Sequence, residues 1–129
     1  MTQKERQMVR ESFVELQEAV EPLALLFYGR LFAVEPGLRG MFTGDIGQQG
    51  KKLMDMVGAA VEGMENWKAL EPALKELGRR HVGYGVKREH YGVVAEAMVW
   101  AIGQALEHGA DREVKQAWGA LLGEVAGAM

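Results

Sequence analysis

Apolar residues recur at intervals of three and four along almost the whole of this chain, and nowhere do they alternate with period two for long enough to make a strand. That spacing places one apolar stripe on each of a series of α-helices, so the fold is read as all-α, helix packed on helix. Thr2 with Glu5 predicts a capping box, and Val9, Phe13, Leu16 and Val20 follow on one face. Pro22 suits the first turn of a second helix with the stripe Leu23, Phe27, Leu31 and Val34, which Pro36 and Gly37 end. A short turn or helix then carries Leu38, Met41 and Phe42. Asp45 with Gln48 predicts the next start, ahead of Leu53, Val57, Ala60 and Met64. Pro72 falls early in a helix bearing Leu74, Leu77 and His81, which Gly83 and Gly85 stop. A further helix begins near residues 87–89 and runs through Val94, Met98 and Ile102 to a cap at Gly109. The last starts near Asp111 and buries Val114, Trp118, Leu121 and Val125. Seventeen glycines exceed what these turns require, so several are expected at close helix crossings.

With 129 residues the chain reads as a single domain, 1–129, able to bury a core and a prosthetic group as well. A net charge of −3 with dispersed Lys and Arg argues against a nucleic-acid-binding face. Glu21 and Glu96 interrupt the longest apolar runs, which argues against a membrane span. The charged start of the chain is not followed by an apolar segment, so a signal peptide is not expected and a cytoplasmic location is. The chain has no cysteine, which removes disulfides, thiolate catalysis, cysteine zinc sites and thioether attachment of a cofactor. Metal ligation is left to His, Met, Tyr and carboxylates.

One of the three histidines does not fit a plain bundle. His81 follows Leu74 and Leu77 at seven and four residues, so it projects from the apolar face of its helix, in the last turn. An imidazole there needs a partner for each nitrogen. One can donate to the carbonyl of Leu77, because last-turn carbonyls lack helix partners. A metal would engage the other, and the Leu77 bond would then fix the tautomer and aim the ring. On spacing alone the commoner explanation is a core histidine bonded to some other side chain. Likewise, Gln49 alone reads as a solvated first-turn residue, Tyr28 as an amphipathic core residue and Phe42 as a core aromatic. His90 and His108 read as structural or solvated, and Trp67, Trp100 and Trp118 as packing or partly exposed aromatics.

The stretch Leu77-Gly-Arg-Arg-His81-Val-Gly-Tyr84-Gly-Val86-Lys-Arg-Glu-His90-Tyr91 resembles the proximal segment of bacterial single-domain globins, relatives of flavohaemoglobin haem domains and of neuroglobin-like microbial globins. Upstream, Leu26-Phe27-Tyr28-Gly-Arg-Leu31-Phe32, Pro36 and Met41-Phe42 are similar to that family's second and third helices. Gln49-Gly-Lys-Lys-Leu53-Met54 is similar to its distal helix, and Ala117-Trp118-Gly119 to the start of its last. The resemblance covers the whole chain in order and implies a globin fold of six to seven helices enclosing one haem b. It makes His81 the iron ligand, Phe42 the ring packed on the porphyrin, Tyr28 and Gln49 the distal polar pair, and Leu53 and Val57 the distal wall. Leu77, Val86, Tyr91, Val94 and Met98 fall on the proximal side or porphyrin edge. Lys52, Arg80 and Lys87 are candidates for the propionates, with solvated surface charge as the default.

Two departures qualify the implied chemistry. Many relatives carry a Glu in the last helix that bonds the proximal histidine; Glu124 has the wrong spacing to replace it, and Leu121 or Leu122 stands where a Tyr is common. The electron-rich proximal ligand of peroxidase-like chemistry is therefore not expected. The resemblance implies reversible binding of O2, CO and NO at a five-coordinate iron. The alternatives are nitric oxide dioxygenation with a separate reductase, and a cofactor-free helical interaction module.

Overall fold

The helix ends follow from local chemistry. In the computed structural model, which describes residues 1–42, 45–83, 85–106 and 111–129, there are six α-helices and, among the described residues, no strand. They are α1 (Gln3–Leu16), α2 (Val20–Val34), α3 (Ile46–Gly63), α4 (Trp67–Gly83), α5 (Arg88–Ala105) and α6 (Arg112–Ala128), with short 3-10 helices at Gln17–Ala19 and Pro36–Met41. Thr2 and Glu5 form the expected box: Thr2 Oγ1 accepts from the Glu5 N–H at 3.1 Å, and Glu5 Oε1 accepts from the Thr2 N–H at 2.8 Å. Asp111 caps α6 by accepting from the Val114 N–H at 2.9 Å.

Two expectations are corrected. Asp45 does cap α3, accepting from the Gly47 N–H at 2.8 Å, but Gln48 does not complete a reciprocal box. Pro72 does not sit near a helix start: α4 begins at Trp67, a turn and a half earlier. The proline removes the N–H that would have bonded the Lys68 carbonyl, and its exposed position leaves that carbonyl to water. The cap expected at Gly109 lies outside the described residues.

The core is centred where α2 crosses α5, with α6 packed on both α1 and α5. Trp118 of α6 is wholly buried, its indole N–H donating to Ser12 Oγ at 2.8 Å, while Ser12 donates onward to the Met8 carbonyl at 2.8 Å. A buried indole thus has its one donor satisfied. Glycine permits the closest helix approaches, as expected. A Cβ on Gly50 of α3 would lie 2.7 Å from the Ala24 Cβ on α2, and one on Gly78 of α4 would collide with the backbone of Met129. Among the described residues Gly85 alone has positive φ, 87°. It closes α4 with a Schellman pattern: the Gly85 N–H donates to the Val82 carbonyl at 3.0 Å and the Val86 N–H to the His81 carbonyl at 3.1 Å.

Candidate functional site

His81 occupies the last turn of α4, half-buried, with its backbone fixed by that closure. Its Nδ1 lies 2.8 Å from the Leu77 carbonyl oxygen. A carbonyl can only accept, so Nδ1 is a protonated nitrogen, and a metal would be held through Nε2. The ring meets Tyr91 of α5 edge-on, centroids 6.4 Å apart at 63°. The sequence-derived orientation of the imidazole is therefore present in the structure. The donor set decides what such a nitrogen could hold. Among the described residues no group of three or more His, Asp or Glu side chains converges as a metal site. A single imidazole suits a metal that arrives with its own equatorial ligands, as in a porphyrin.

A second cluster forms around Tyr28 on α2. Its ring packs against Phe27 (4.9 Å), Phe42 (5.4 Å) and Phe32 (5.9 Å). The residue is only 5% exposed, and burial pushes its phenol up to about 12. Desolvation disfavours the phenolate, so the hydroxyl remains a donor far above neutral pH. Among the described residues it has no hydrogen-bond partner. Gly50 of α3 lies on this ring, its would-be Cβ 3.9 Å from Tyr28 Cε2. Gln49 is half-buried, not fully solvated.

The remaining expected site residues share a property. Phe42, Leu53, Leu77, Val86, Tyr91 and Val94 are all half-buried, unlike the fully buried residues of the core. Val57 and Met98 are the exceptions, each 2% exposed and packed into protein. On α3 the buried residues are Gly50, Met54, Val57, Ala60 and Val61; Gln49, Leu53 and Met56 are half-covered beside them. Leu53 on α3, Leu77 on α4, and Tyr91 and Val94 on α5, together with Phe42, thus leave apolar surface partly open. Lys52, Arg80 and Lys87 are exposed and make no ion pair among the described residues.

Sequence reasoning left two contributors without a role. Phe32 stacks on Tyr28 and packs edge-on against Phe42 at 5.4 Å; its spacing of four from Tyr28 was the available signal. His90 caps α5, its Nδ1 accepting from the Lys87 N–H at 3.0 Å. His108 and Tyr84 lie outside the described residues. A cleft of about 430 Å³ between α1 and α3, lined by Phe13, Val20, Met54 and Gly58, and one of about 190 Å³ by Arg6 and Trp67 include none of the expected site residues. Neither is lined by a histidine.

An all-helical fold with a half-buried, carbonyl-oriented imidazole and a tyrosine buried among phenylalanines suits a haem-binding bundle. The globin family model matches residues 25–129, and the chain belongs to the globin family. Haem b is that family's cofactor. A flavohemoprotein of Bacillus thuringiensis is 32% identical over 131 residues, covering 99% of this chain and 32% of the relative. The chain thus spans about a third of the length of the flavohemoproteins it matches. A bacterial globin from Campylobacter jejuni superposes with a TM-score of 0.84 at 27% identity, covering 98% of this chain and 91% of the other. An engineered carbene transferase, derived from a candidate nitric oxide dioxygenase of Rhodothermus marinus, gives 0.86 at 28% identity, covering 98% and 89%.

Proposed function

We propose that His81 holds the iron of haem b through Nε2 and that this globin binds diatomic gases, with Tyr28 and Gln49 as the polar groups that hold the guest. The observation that supports the ligand role is the 2.8 Å contact of Nδ1 with the Leu77 carbonyl, which fixes the ring and makes Nε2 the nitrogen suited to a metal. Phe42, Leu53, Val57, Leu77, Val86, Tyr91, Val94 and Met98 supply the apolar walls, and Lys52, Arg80 and Lys87 are the cations available to the propionates. Haem supplies an iron with one coordination position open to O2, CO or NO.

The chain's own groups then set affinity. The Tyr28 hydroxyl stays protonated because its ring is buried among Phe27, Phe32 and Phe42. The Gln49 amide brings a second donor and, unlike an imidazole, is a poor iron ligand, so it leaves the open position to the gas. A hydrogen bond from either donor in these apolar surroundings contributes about 1–3 kcal/mol, a roughly five- to hundred-fold slowing of oxygen release. The test is an absorption spectrum of the reduced protein with and without carbon monoxide, followed by the oxygen off-rate of Tyr28→Phe. The expected result is a five-coordinate ferrous spectrum and a faster off-rate in the variant. Absence of Soret absorption after adding haemin overturns the reading; an unchanged off-rate removes Tyr28 from it.

Nitric oxide dioxygenation is the second reading, favoured by the likeness to flavohemoproteins and to the candidate dioxygenase of Rhodothermus marinus. It requires electrons from a reductase, so sustained nitric oxide consumption with an added reductase and oxygen separates it from reversible carriage.

A further inference from the structure

The helix that carries His81 is thinly anchored. Among the described residues of α4 only Leu74 and Gly78 are fully buried, whereas α6 buries Ala117, Trp118, Leu121, Leu122 and Val125. Leu70, Leu74 and Gly78 follow at steps of four and make one stripe along α4, with Leu77 and His81 beside it. Both ends of that stripe rest on a glycine crossing. At one end, a Cβ on Gly63 of α3 would lie 2.8 Å from Leu70 Cδ2 and 3.2 Å from Leu70 Cβ. At the other, a Cβ on Gly78 would lie 3.0 Å from Met129 Cα and would collide with the Met129 carbonyl. Met129 is held in place: its N–H donates to the Val125 carbonyl at 3.1 Å, and Val125 is 3% exposed.

We propose that these two crossings, and the one on Gly78 above all, set where His81 stands, so that the end of α6 positions the imidazole. The proposal rests on the reading of His81 as the iron ligand. Gly78 follows directly on Leu77, whose carbonyl lies 2.8 Å from His81 Nδ1. It stands three residues from His81, about 4.5 Å along the helix axis. A shift of α4 at Gly78 therefore reaches the ring through its own turn and through the contact that orients it. What Gly78 meets matters as much. A side chain can rotate away from an added methyl group, but the Met129 backbone cannot. Restoring ordinary van der Waals contact there separates the two helices by roughly 1 Å. The helix with fewer buried anchors is the one that moves, and that is α4. A ligand must be held to within about half an ångström, so such a shift strains the bond it makes. Gly78, Met129, Gly63 and Leu70 are thus positioning residues that act through His81.

The test compares Gly78→Ala with Gly123→Ala on α6, where a methyl group meets nothing within 4 Å. Two readouts follow His81 itself. In the haem-free protein they are the nitrogen and proton resonances of its ring. In the reduced, haem-loaded protein the readout is the iron–histidine stretching band in resonance Raman spectra, with the carbon monoxide association rate beside it. Gly78→Ala is expected to move the resonances and the band and to change the rate roughly tenfold, while Gly123→Ala moves none of them. Gly63→Ala presses on the end of a flexible side chain, so its effect in the same readouts should be smaller, and adding Leu70→Ala should reverse it. These milder variants decide the matter if Gly78→Ala does not fold. His81 resonances and band unmoved in the folded variants, or moved as much by Gly123→Ala, overturn the proposal. If the original chain takes up no haemin, the ligand reading falls instead, and the haem-free resonances still show whether Gly78 positions the ring.

Discussion

The two ends of this bundle are finished differently. Where α6 packs on α1, Trp118, Val9, Leu16 and Leu121 are at most 1% exposed, and the Trp118 indole N–H is bonded to Ser12. On α3, α4 and α5, by contrast, Leu53, Leu77, Tyr91 and Val94 are only half-covered, and the Tyr28 hydroxyl makes no hydrogen bond among the described residues. Protein alone completes the first region; the second has the surface and donors to be completed by a prosthetic group. Stability and function are therefore divided in space, and substitutions should separate them.

The largest expected effect lies in the finished region. Trp118→Ala should destabilise the protein by about 3–5 kcal/mol, with or without haem, because it opens a cavity and leaves Ser12 without its donor. Equilibrium urea unfolding of both forms measures it, and a loss confined to the haem-loaded form would break the contrast. His81→Ala should do the reverse. The haem-free protein should change by no more than about 1 kcal/mol, the worth of the Leu77 hydrogen bond. The stabilisation that added haemin gives the original chain should vanish with the Soret band. Equal destabilisation of both forms would make His81 a structural residue.

The next two effects fall on the boundary between the regions. Gly50→Ala drives a methyl group into Ala24 and should cost about 1–3 kcal/mol through overpacking. Because Gly50 also rests against the Tyr28 ring, the substitution should alter gas off-rates as well as stability. A pure stability effect, with unchanged gas kinetics, would detach the helix crossing from the pocket. The smallest effect is a pH dependence. The folded Tyr28 phenol titrates near 12, above the ordinary tyrosine value of about 10. Below about pH 10 both states are protonated and Tyr28 adds no pH dependence. Between about 10 and 12 the unfolded chain releases its proton first, so stability falls as pH rises, by up to about 2 kcal/mol. Comparing urea midpoints at pH 8 and 11 for the original and Tyr28→Phe isolates this contribution, and identical slopes would show the phenol to be better solvated than its burial indicates.

Local and periodic features were readable without coordinates. The all-α class, the Thr2–Glu5 box, the Asp111 cap and the Leu77 partner of His81 depend on residues within four positions of one another, and one helical turn fixes their geometry. The order of the motifs also carried the family. Where a rule required more than a turn, reading fell short: Pro72 fits a helix start by local preference, yet α4 begins at Trp67 because tertiary packing outweighs one lost hydrogen bond.

Only the tertiary structure decided that Gly50 rests on Ala24 and Tyr28, that Phe32 joins the tyrosine's cage, that Trp118 donates to Ser12 106 positions away, and which apolar stripes stay half-open. The physical reason is that a sequence specifies the faces of its helices through a 3.6-residue period. Which faces meet, and how closely, depends on side-chain volumes at crossings between segments far apart in the chain.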